Sequence, residues 1–172
     1  QYLDNTIEVK NLALSGRSSK SFLSEPEYGQ LLGGMREGDY LLIGFGHNDE
    51  KMEEQRHTAG KGGYMDEGSF ANSLYVNYYL KAKEAGCTTI LCTPIVRRTP
   101  DGKWTSDMLH ITSDQDKFVG GDYPDAIRTM GSELNIPVVD MTSITKELYD
   151  KMGPDNTAKL HAWPSDKVSS VD

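Results

Sequence analysis

Two short loops carry residue types that could stabilise a developing oxyanion. Gly16 lies in a serine-rich stretch, and Gly46-His47-Asn48-Asp49 directly follows an apolar run. A glycine lets its backbone N–H approach a reacting oxygen because no side chain stands in the way. An asparagine can donate its amide hydrogens to a developing oxyanion. Gly16 and Asn48 are therefore candidate donors of an oxyanion hole.

Each loop also has a simpler structural explanation. The stretch Ser15–Ser21 contains glycine, serine and lysine, but it lacks the glycine and lysine spacing of a nucleotide-binding P-loop, so a tight strand-to-helix turn is the alternative. In the second loop, Asn48 could satisfy the backbone of its own turn, with His47 and Asp49 on either side of it. Neither loop alone decides between the two interpretations.

Taken together, the two loops resemble the SGNH (GDSL-type) hydrolases, and within them the rhamnogalacturonan acetylesterase group. The matching segments are Asn11-x-x-x-x-Gly16-x-Ser18-x-x-Ser21-Phe22 and Gly44-Phe45-Gly46-His47-Asn48-Asp49, followed by Gly68-Ser69-Phe70, Thr93–Arg98, Tyr123–Ala126 and Pro137–Asp140. The resemblance covers most of the chain, and the paired loops are far more specific than either one alone.

The resemblance implies acyl transfer to a serine, with a histidine as base and no cofactor. It assigns the backbone N–H of Gly16 and the side-chain amide of Asn48 to the oxyanion hole, and Asp172 to orienting the histidine. The family's Gly-Asp-Ser sequence does not occur here, and the matching histidine would lie three places beyond Asp172. We therefore expect an internal fragment without the family's first strand and last helix, inactive as an esterase by itself.

The implied substrate is an acetylated oligosaccharide or polysaccharide, pectic or from another plant source. Two other functions stay open. One is a lipase or thioesterase with the same fold, and the other is an α/β domain that binds a ligand without turnover.

The elements that must position these loops follow from apolar patterning. Strands are predicted at Ile7–Leu14, Asp39–Gly46, Thr88–Thr93 and Ile136–Asp140, and helices at Glu27–Met35, Phe70–Ala85, after a cap at Asp122, and after a cap at Thr142 or Ser143. Alternating strands and helices predict one α/β domain over residues 1–172, a three-layer parallel sheet that the resemblance makes flavodoxin-like. Ligands bind beyond the carboxyl ends of such strands, where both loops are expected.

Composition excludes several other classes of protein. The chain has 172 residues, of which 37% are hydrophobic, and a net charge of −8. That charge argues against binding to nucleic acid or to an anionic membrane surface. No apolar run approaches the ~18–20 residues that cross a bilayer. Two cysteines, Cys87 and Cys92, exclude a disulfide-dense scaffold and a four-cysteine zinc site, and slightly favour the cytoplasm, with secretion left open.

The remaining candidates are weaker. His57 and His110 are expected at the surface or lining the substrate cleft, and His161 is not preceded by an aspartate at three residues. Arg97 and Arg98 either line the cleft or are simply exposed. Three aromatic residues could stack on sugar rings or pack within the protein: Tyr64, Trp104 and Trp163. The long connections His57–Gly68 and Val96–Gly121 are expected to be functional.

Overall fold

A parallel sheet of three strands forms the centre of the computed structural model, which describes residues 7–160. The strands of the chain are β1 (Tyr40–Gly44), β2 (Thr88–Cys92), β3 (Ile111–Thr112), β4 (Gly121–Asp122) and β5 (Val138–Val139). The sheet has the order β1-β2-β5, while β3 and β4 form a separate antiparallel pair. The predicted parallel α/β class is confirmed. Because proline has no N–H to donate, β5 begins only after Pro137, and it lies at the edge of the sheet.

The strand predicted at Ile7–Leu14 is wrong. These residues form no regular secondary structure, and Ile7 and Val9 are exposed. A strand needs a neighbouring backbone to bond with, but β1 pairs with β2, and no pairing joins it to residues 7–14. Alternating apolar residues were not sufficient without that partner.

Within residues 7–160, six α-helices connect and flank the strands. They are α1 (Pro26–Gly34), α2 (Phe70–Leu74), α3 (Leu80–Glu84), α4 (Tyr123–Leu134), α5 (Met141–Met152) and α6 (Pro154–Thr157). A π-helical turn, Tyr75–Tyr79, joins α2 to α3, so the helix predicted over Phe70–Ala85 is continuous. Gly86 then ends it at φ 78°, a conformation that glycine adopts without strain.

The caps of the two longest helices differ in how well they were anticipated. Asp122 caps α4 as predicted, its side chain accepting a hydrogen bond from the backbone N–H of Asp125. Helix α5 begins earlier than predicted, because Asp140 rather than Thr142 or Ser143 is its cap. The Asp140 carboxylate accepts from Ser143 N and also from Arg128, so it joins the start of α5 to α4.

The core lies on one face of the sheet, under α2 and α4. Its members are Phe22, Ile43, Phe70, Leu74, Tyr78, Leu91, Tyr123, Ile127, Met130 and Ile136. Gly131 lets α4 approach β5 closely, since a β-carbon there would overlap with the Val138 side chain. This face positions the carboxyl ends of the strands rigidly.

The opposite face of β1 is exposed. Tyr40 and Leu42 are 69% and 63% exposed, whereas Ile43, which points from the same strand into the core, is buried. Over β1, the third layer of the predicted three-layer arrangement is therefore not seen within residues 7–160. In the same part of the chain, no helix combines the length and apolar character needed to span a membrane.

Candidate active site

The second loop is a tight turn at the carboxyl end of β1. The backbone N–H of Asp49 donates to the carbonyl of Gly46 at 3.1 Å, which places Asn48 at the top of the turn. Gly46 has a φ of 127°, and a β-carbon there would crowd the ring of Pro94 at 3.1 Å. The conformation and the close approach both require glycine at this position.

Asp49 ties this turn to the first loop. Its carboxylate is fully buried and accepts hydrogen bonds from the backbone N–H of Ser19 (3.0 Å), from that of Gly46 (3.0 Å), and from the hydroxyl of Thr58 (3.0 Å). The Ser19 hydroxyl also donates to it. Burial raises the pKa of Asp49 to about 6. This carboxylate joins residues thirty positions apart in the chain, so it sets the distance between the two loops.

Asn48 reaches across to the first loop with its side chain. Its Nδ2 donates to the carbonyl of Arg17 at 3.3 Å, and its Oδ1 accepts from Nη1 of Arg56 at 3.2 Å. Gly16, the residue before Arg17, lies in a turn at φ 73°, and a β-carbon there would face open space. The structure thus brings the Gly16 loop and Asn48 together.

Gly16 is positioned differently from the sequence expectation, and Asp172 lies outside the described residues. Gly16 follows residues 7–14, which form no strand, so hydrogen bonds between loops hold it near Asn48 rather than the end of a paired strand. Asp172, together with His161 and Trp163, lies outside the described residues. The role expected of Asp172 is therefore a prediction without a structural counterpart here.

His110 was expected at the surface or lining the cleft, and that prediction is wrong. Its ring is fully buried, with Nε2 2.7 Å from the carbonyl oxygen of Ile95 and Nδ1 3.3 Å from Oε2 of Glu50. Glu50 is in turn paired with Arg97. The Glu50 side chain is 4% exposed and that of Arg97 is 27% exposed, so a partly buried ion pair holds the long connection after β2 against the second loop.

His47 lies beside the buried ring of His110. Its ring centroid is 5.1 Å from that of His110. Burial, with the positive charge of Arg97 next in importance, lowers the pKa of His47 to about 4. The imidazole next to Asn48 is therefore neutral at physiological pH.

A cavity of about 210 Å³ is lined in part by Glu50, which lies two residues after Asn48 in the chain. Its lining includes His57, Arg97 and Phe118, with the His57 and Phe118 rings 5.0 Å apart. Arg97 and His57 line this cavity, and whether it is the substrate cleft stays a prediction. The cavity has the aromatic and charged surfaces that a small polar ligand would contact.

The aromatic residues weighed as sugar platforms contact the protein itself. Tyr64 packs beside Tyr75 at a centroid distance of 4.8 Å. Trp104 stacks on Tyr149 and donates its indole N–H to Asp150. Within residues 7–160, no three His, Cys, Asp or Glu side chains are grouped so that they could hold a metal ion.

The sequence analysis did not single out Arg56, which contacts Asn48, or Ser19, which contacts Asp49. Ser19 belongs to a matched segment but gave no signal of its own. Arg56 forms a salt bridge with Glu53 at 2.9 Å. The Glu53-x-x-Arg56 spacing was the available signal that this guanidinium is held in place.

Comparison with known proteins bears on this geometry. No family model matches the chain. Rhamnogalacturonan acetylesterase RhgT of Bacillus subtilis (strain 168) is 31% identical over 163 residues, which are 95% of this chain and 62% of RhgT. The chain is related in sequence to the rhamnogalacturonan acetylesterases. The resemblance given by the two loops is thereby confirmed.

Other members of the rhamnogalacturonan acetylesterase group show lower identity. The probable rhamnogalacturonan acetylesterase YesY of Bacillus subtilis (strain 168) is 26% identical over 155 residues, covering 88% of this chain and 62% of YesY. The rhamnogalacturonan acetylesterase of Emericella nidulans is 24% identical over 176 residues, covering 94% and 66%. The chain spans about two thirds or less of the length of these relatives.

Two solved structures share the fold of this chain. The YxiM protein of Bacillus subtilis superposes with a TM-score of 0.70 at 22% identity, covering 94% of this chain and 40% of YxiM. A catalytic variant of the acetylxylan esterase Axe2 of Geobacillus stearothermophilus superposes with a TM-score of 0.55 at 19% identity, covering 86% and 58%. At these identities the comparison establishes the fold alone.

Proposed function

We propose that the protein containing this chain is a carbohydrate O-acetylesterase that removes acetyl groups from pectic or related plant polysaccharide fragments. The observation that carries the proposal is the Asn48 amide, which is held between Arg17 and Arg56 beside the Gly16 loop. An amide fixed in this way is a preorganised donor for charge that develops on an acyl oxygen. The names of RhgT and Axe2 supply the class of substrate.

In the proposed mechanism, a serine hydroxyl attacks the acetyl carbonyl while a histidine accepts its proton, and Asp172 orients that histidine. The serine and the histidine are taken to lie outside these 172 residues. The carbonyl oxygen becomes an oxyanion, which accepts from the backbone N–H of Gly16 and from Nδ2 of Asn48. The histidine then protonates the departing sugar oxygen, which leaves as a hydroxyl, and water hydrolyses the acetyl-enzyme to acetate.

The test is a substrate panel on the full-length protein. We expect acetate release from acetylated rhamnogalacturonan or acetylated xylan, with weak turnover of long-chain esters and acyl-CoA. Preference for the long-chain esters or acyl-CoA would indicate a lipase or thioesterase instead. Binding of the acetylated glycan with no acetate release and no labelling by a fluorophosphonate probe would indicate a binding domain.

The 172 residues alone provide a second measurement. The proposal expects no labelling of this chain by the fluorophosphonate probe. Ser19, which donates to Asp49 next to Asn48, is fully buried. Stoichiometric labelling of this chain would show that one of its own serines is the nucleophile, and would overturn the assignment of the serine to the rest of the protein.

A further inference from the structure

Arg56 contacts the outer end of the Asn48 side chain. It lies eight residues after Asn48, and its Nη1 donates to Oδ1 of Asn48 at 3.2 Å. Its Nε donates to Oε2 of Glu53 at 2.9 Å, and its backbone N–H to the carbonyl of Glu53, also at 2.9 Å. The Arg56 side chain is only 28% exposed. Three separate bonds therefore hold Arg56 in one orientation toward the amide.

The two partners of Asn48 determine which way its amide points. A guanidinium can only donate hydrogen bonds, and a backbone carbonyl can only accept them. Oδ1 must therefore face Arg56, and Nδ2 must face the carbonyl of Arg17. If the amide were flipped, its NH₂ group would face the Arg56 guanidinium, and Oδ1 would face the carbonyl oxygen of Arg17. Nδ2 carries two hydrogens, so donation to Arg17 leaves one for a bound oxygen.

Arg56 also changes the strength of that remaining donor. A positive charge at Oδ1 draws electron density toward the amide oxygen and leaves the NH₂ group more positive. Hydrogen bonds that are linked in such a chain strengthen one another. The gain is larger for an oxyanion than for a neutral carbonyl, so it lowers the barrier more than it tightens substrate binding.

We infer that Arg56 is a positioning residue of the esterase site, which orients and polarises the Asn48 amide so that its free N–H stabilises the oxyanion. Arg56 acts through Asn48 and does not itself touch the substrate. This inference rests on the function proposed above, and it adds a residue that the resemblance did not assign.

The experiment is a double-mutant cycle in the full-length protein, with an aryl acetate as substrate. Arg56→Ala is expected to lower kcat about 10-fold while KM changes less than about 2-fold. In an Asn48→Ala background, the same substitution is expected to change kcat less than about 2-fold, because the residue through which it acts is gone. Arg56→Lys, which keeps the charge, should recover part of the loss, and Arg56→Met should recover none.

Arg36→Ala is the matched control. Arg36 is exposed and lies before β1, at the opposite end of the sheet, and the described bonds of its guanidinium go to the carbonyls of Gly33 and Met35. It should leave kcat and KM unchanged. Urea unfolding of each variant identifies any loss of the folded protein, and Arg56→Lys provides the comparison if Arg56→Ala does not fold.

Four results would overturn the inference. An equal loss from Arg56→Ala in both backgrounds would show that Arg56 acts independently of Asn48. A rise in KM at constant kcat would show a role in substrate binding. If Asn48→Ala lowers kcat and Arg56→Ala does not change the kinetics, the positioning role of Arg56 is excluded and the role of Asn48 stands. If Asn48→Ala does not change the kinetics, the oxyanion role of Asn48 is excluded, and the inference about Arg56 with it.

Discussion

The carboxyl end of β1 and the outward face of the same strand are stabilised in different ways. At the carboxyl end, the buried Asp49 carboxylate accepts hydrogen bonds from Ser19, Gly46 and Thr58. On the outward face, Tyr40 and Leu42 are exposed apolar side chains. Hydrogen bonds fix the loops at the carboxyl end of β1, while the outward face of the strand contributes little buried apolar surface within the described residues. The comparison indicates that stability and site geometry are concentrated at the carboxyl end and on the inner face.

Removal of the Asp49 side chain is the strongest challenge to this comparison. Asp49→Ala leaves the buried N–H groups of Ser19 and Gly46 without acceptors, and each such loss costs about 1–3 kcal/mol. We expect the free energy of unfolding of the full-length protein to fall by about 4 kcal/mol, measured by urea denaturation.

Asp49→Asn is the matched control for that change. Its remaining oxygen can accept from both backbone N–H groups, while the Ser19 and Thr58 hydroxyls can rotate to accept from its NH₂. We expect less than half the destabilisation of Asp49→Ala. Equal losses in the two variants would show that the carboxylate's charge, rather than its acceptor geometry, holds the loops together.

The two faces of the sheet can be compared with one residue type. Leu91 on β2 faces the core and is fully buried, whereas Leu42 on β1 is 63% exposed. Leu91→Ala should lower the free energy of unfolding by about 2–5 kcal/mol, because it leaves a cavity. Leu42→Ala should change it by less than about 0.5 kcal/mol. A comparable loss in Leu42→Ala would show that the outward face of β1 is covered in the full-length protein.

Substitution of Asn48 tests whether the hydrogen-bonded carboxyl end of β1 also carries the activity. Asn48→Ala should lower kcat on aryl acetate by about 10²–10³-fold, equivalent to about 2.7–4 kcal/mol of transition-state stabilisation, with a much smaller change in KM. Asn156→Ala, an exposed asparagine on α6, is the control and should leave both parameters unchanged. An Asn48→Ala variant that turns over the substrate at the parental rate would assign Asn48 a structural role only.

The pH dependence of stability gives the smallest of these effects. Because burial raises the pKa of Asp49 to about 6, the folded protein binds this proton more tightly than the unfolded chain does. The Asp49 contribution should therefore fall by about 2–3 kcal/mol as the pH rises from about 4 to about 6, and stay constant above that. The measurement is the difference in free energy of unfolding between the parent and Asp49→Asn at each pH.

The difference measurement is needed because His47 acts in the opposite direction. Burial lowers its pKa to about 4, so its neutral form is favoured by folding, and its contribution rises between about pH 4 and pH 6.5. In the comparison of the parent with Asp49→Asn, this contribution cancels. A difference that does not vary with pH would mean that Asp49 titrates alike in the folded and unfolded states.

Local signals along the chain determined much of the fold. The apolar runs before Gly46 and around Ile90 are strands because nearly continuous apolar segments suit a strand within a packed sheet. The Asp122 cap followed by Pro124 marked the start of α4 within one residue. The placement of Asn48 just beyond β1 also followed from such signals, since a turn of four residues is decided by its own glycine and side chains.

Contacts between distant residues were decided only by the tertiary structure. Whether Ile7–Leu14 forms a strand depends on a neighbouring backbone, which its own residues do not specify. The burial of His110 depends on Glu50, sixty residues away, and the connection between Ser19 and Asp49 spans thirty. Arg56 is the clearest case, because its sequence position suggested only a salt bridge to Glu53. Its contact with Asn48 exists because the chain after the turn folds back, and a sequence pattern does not encode the direction of that return.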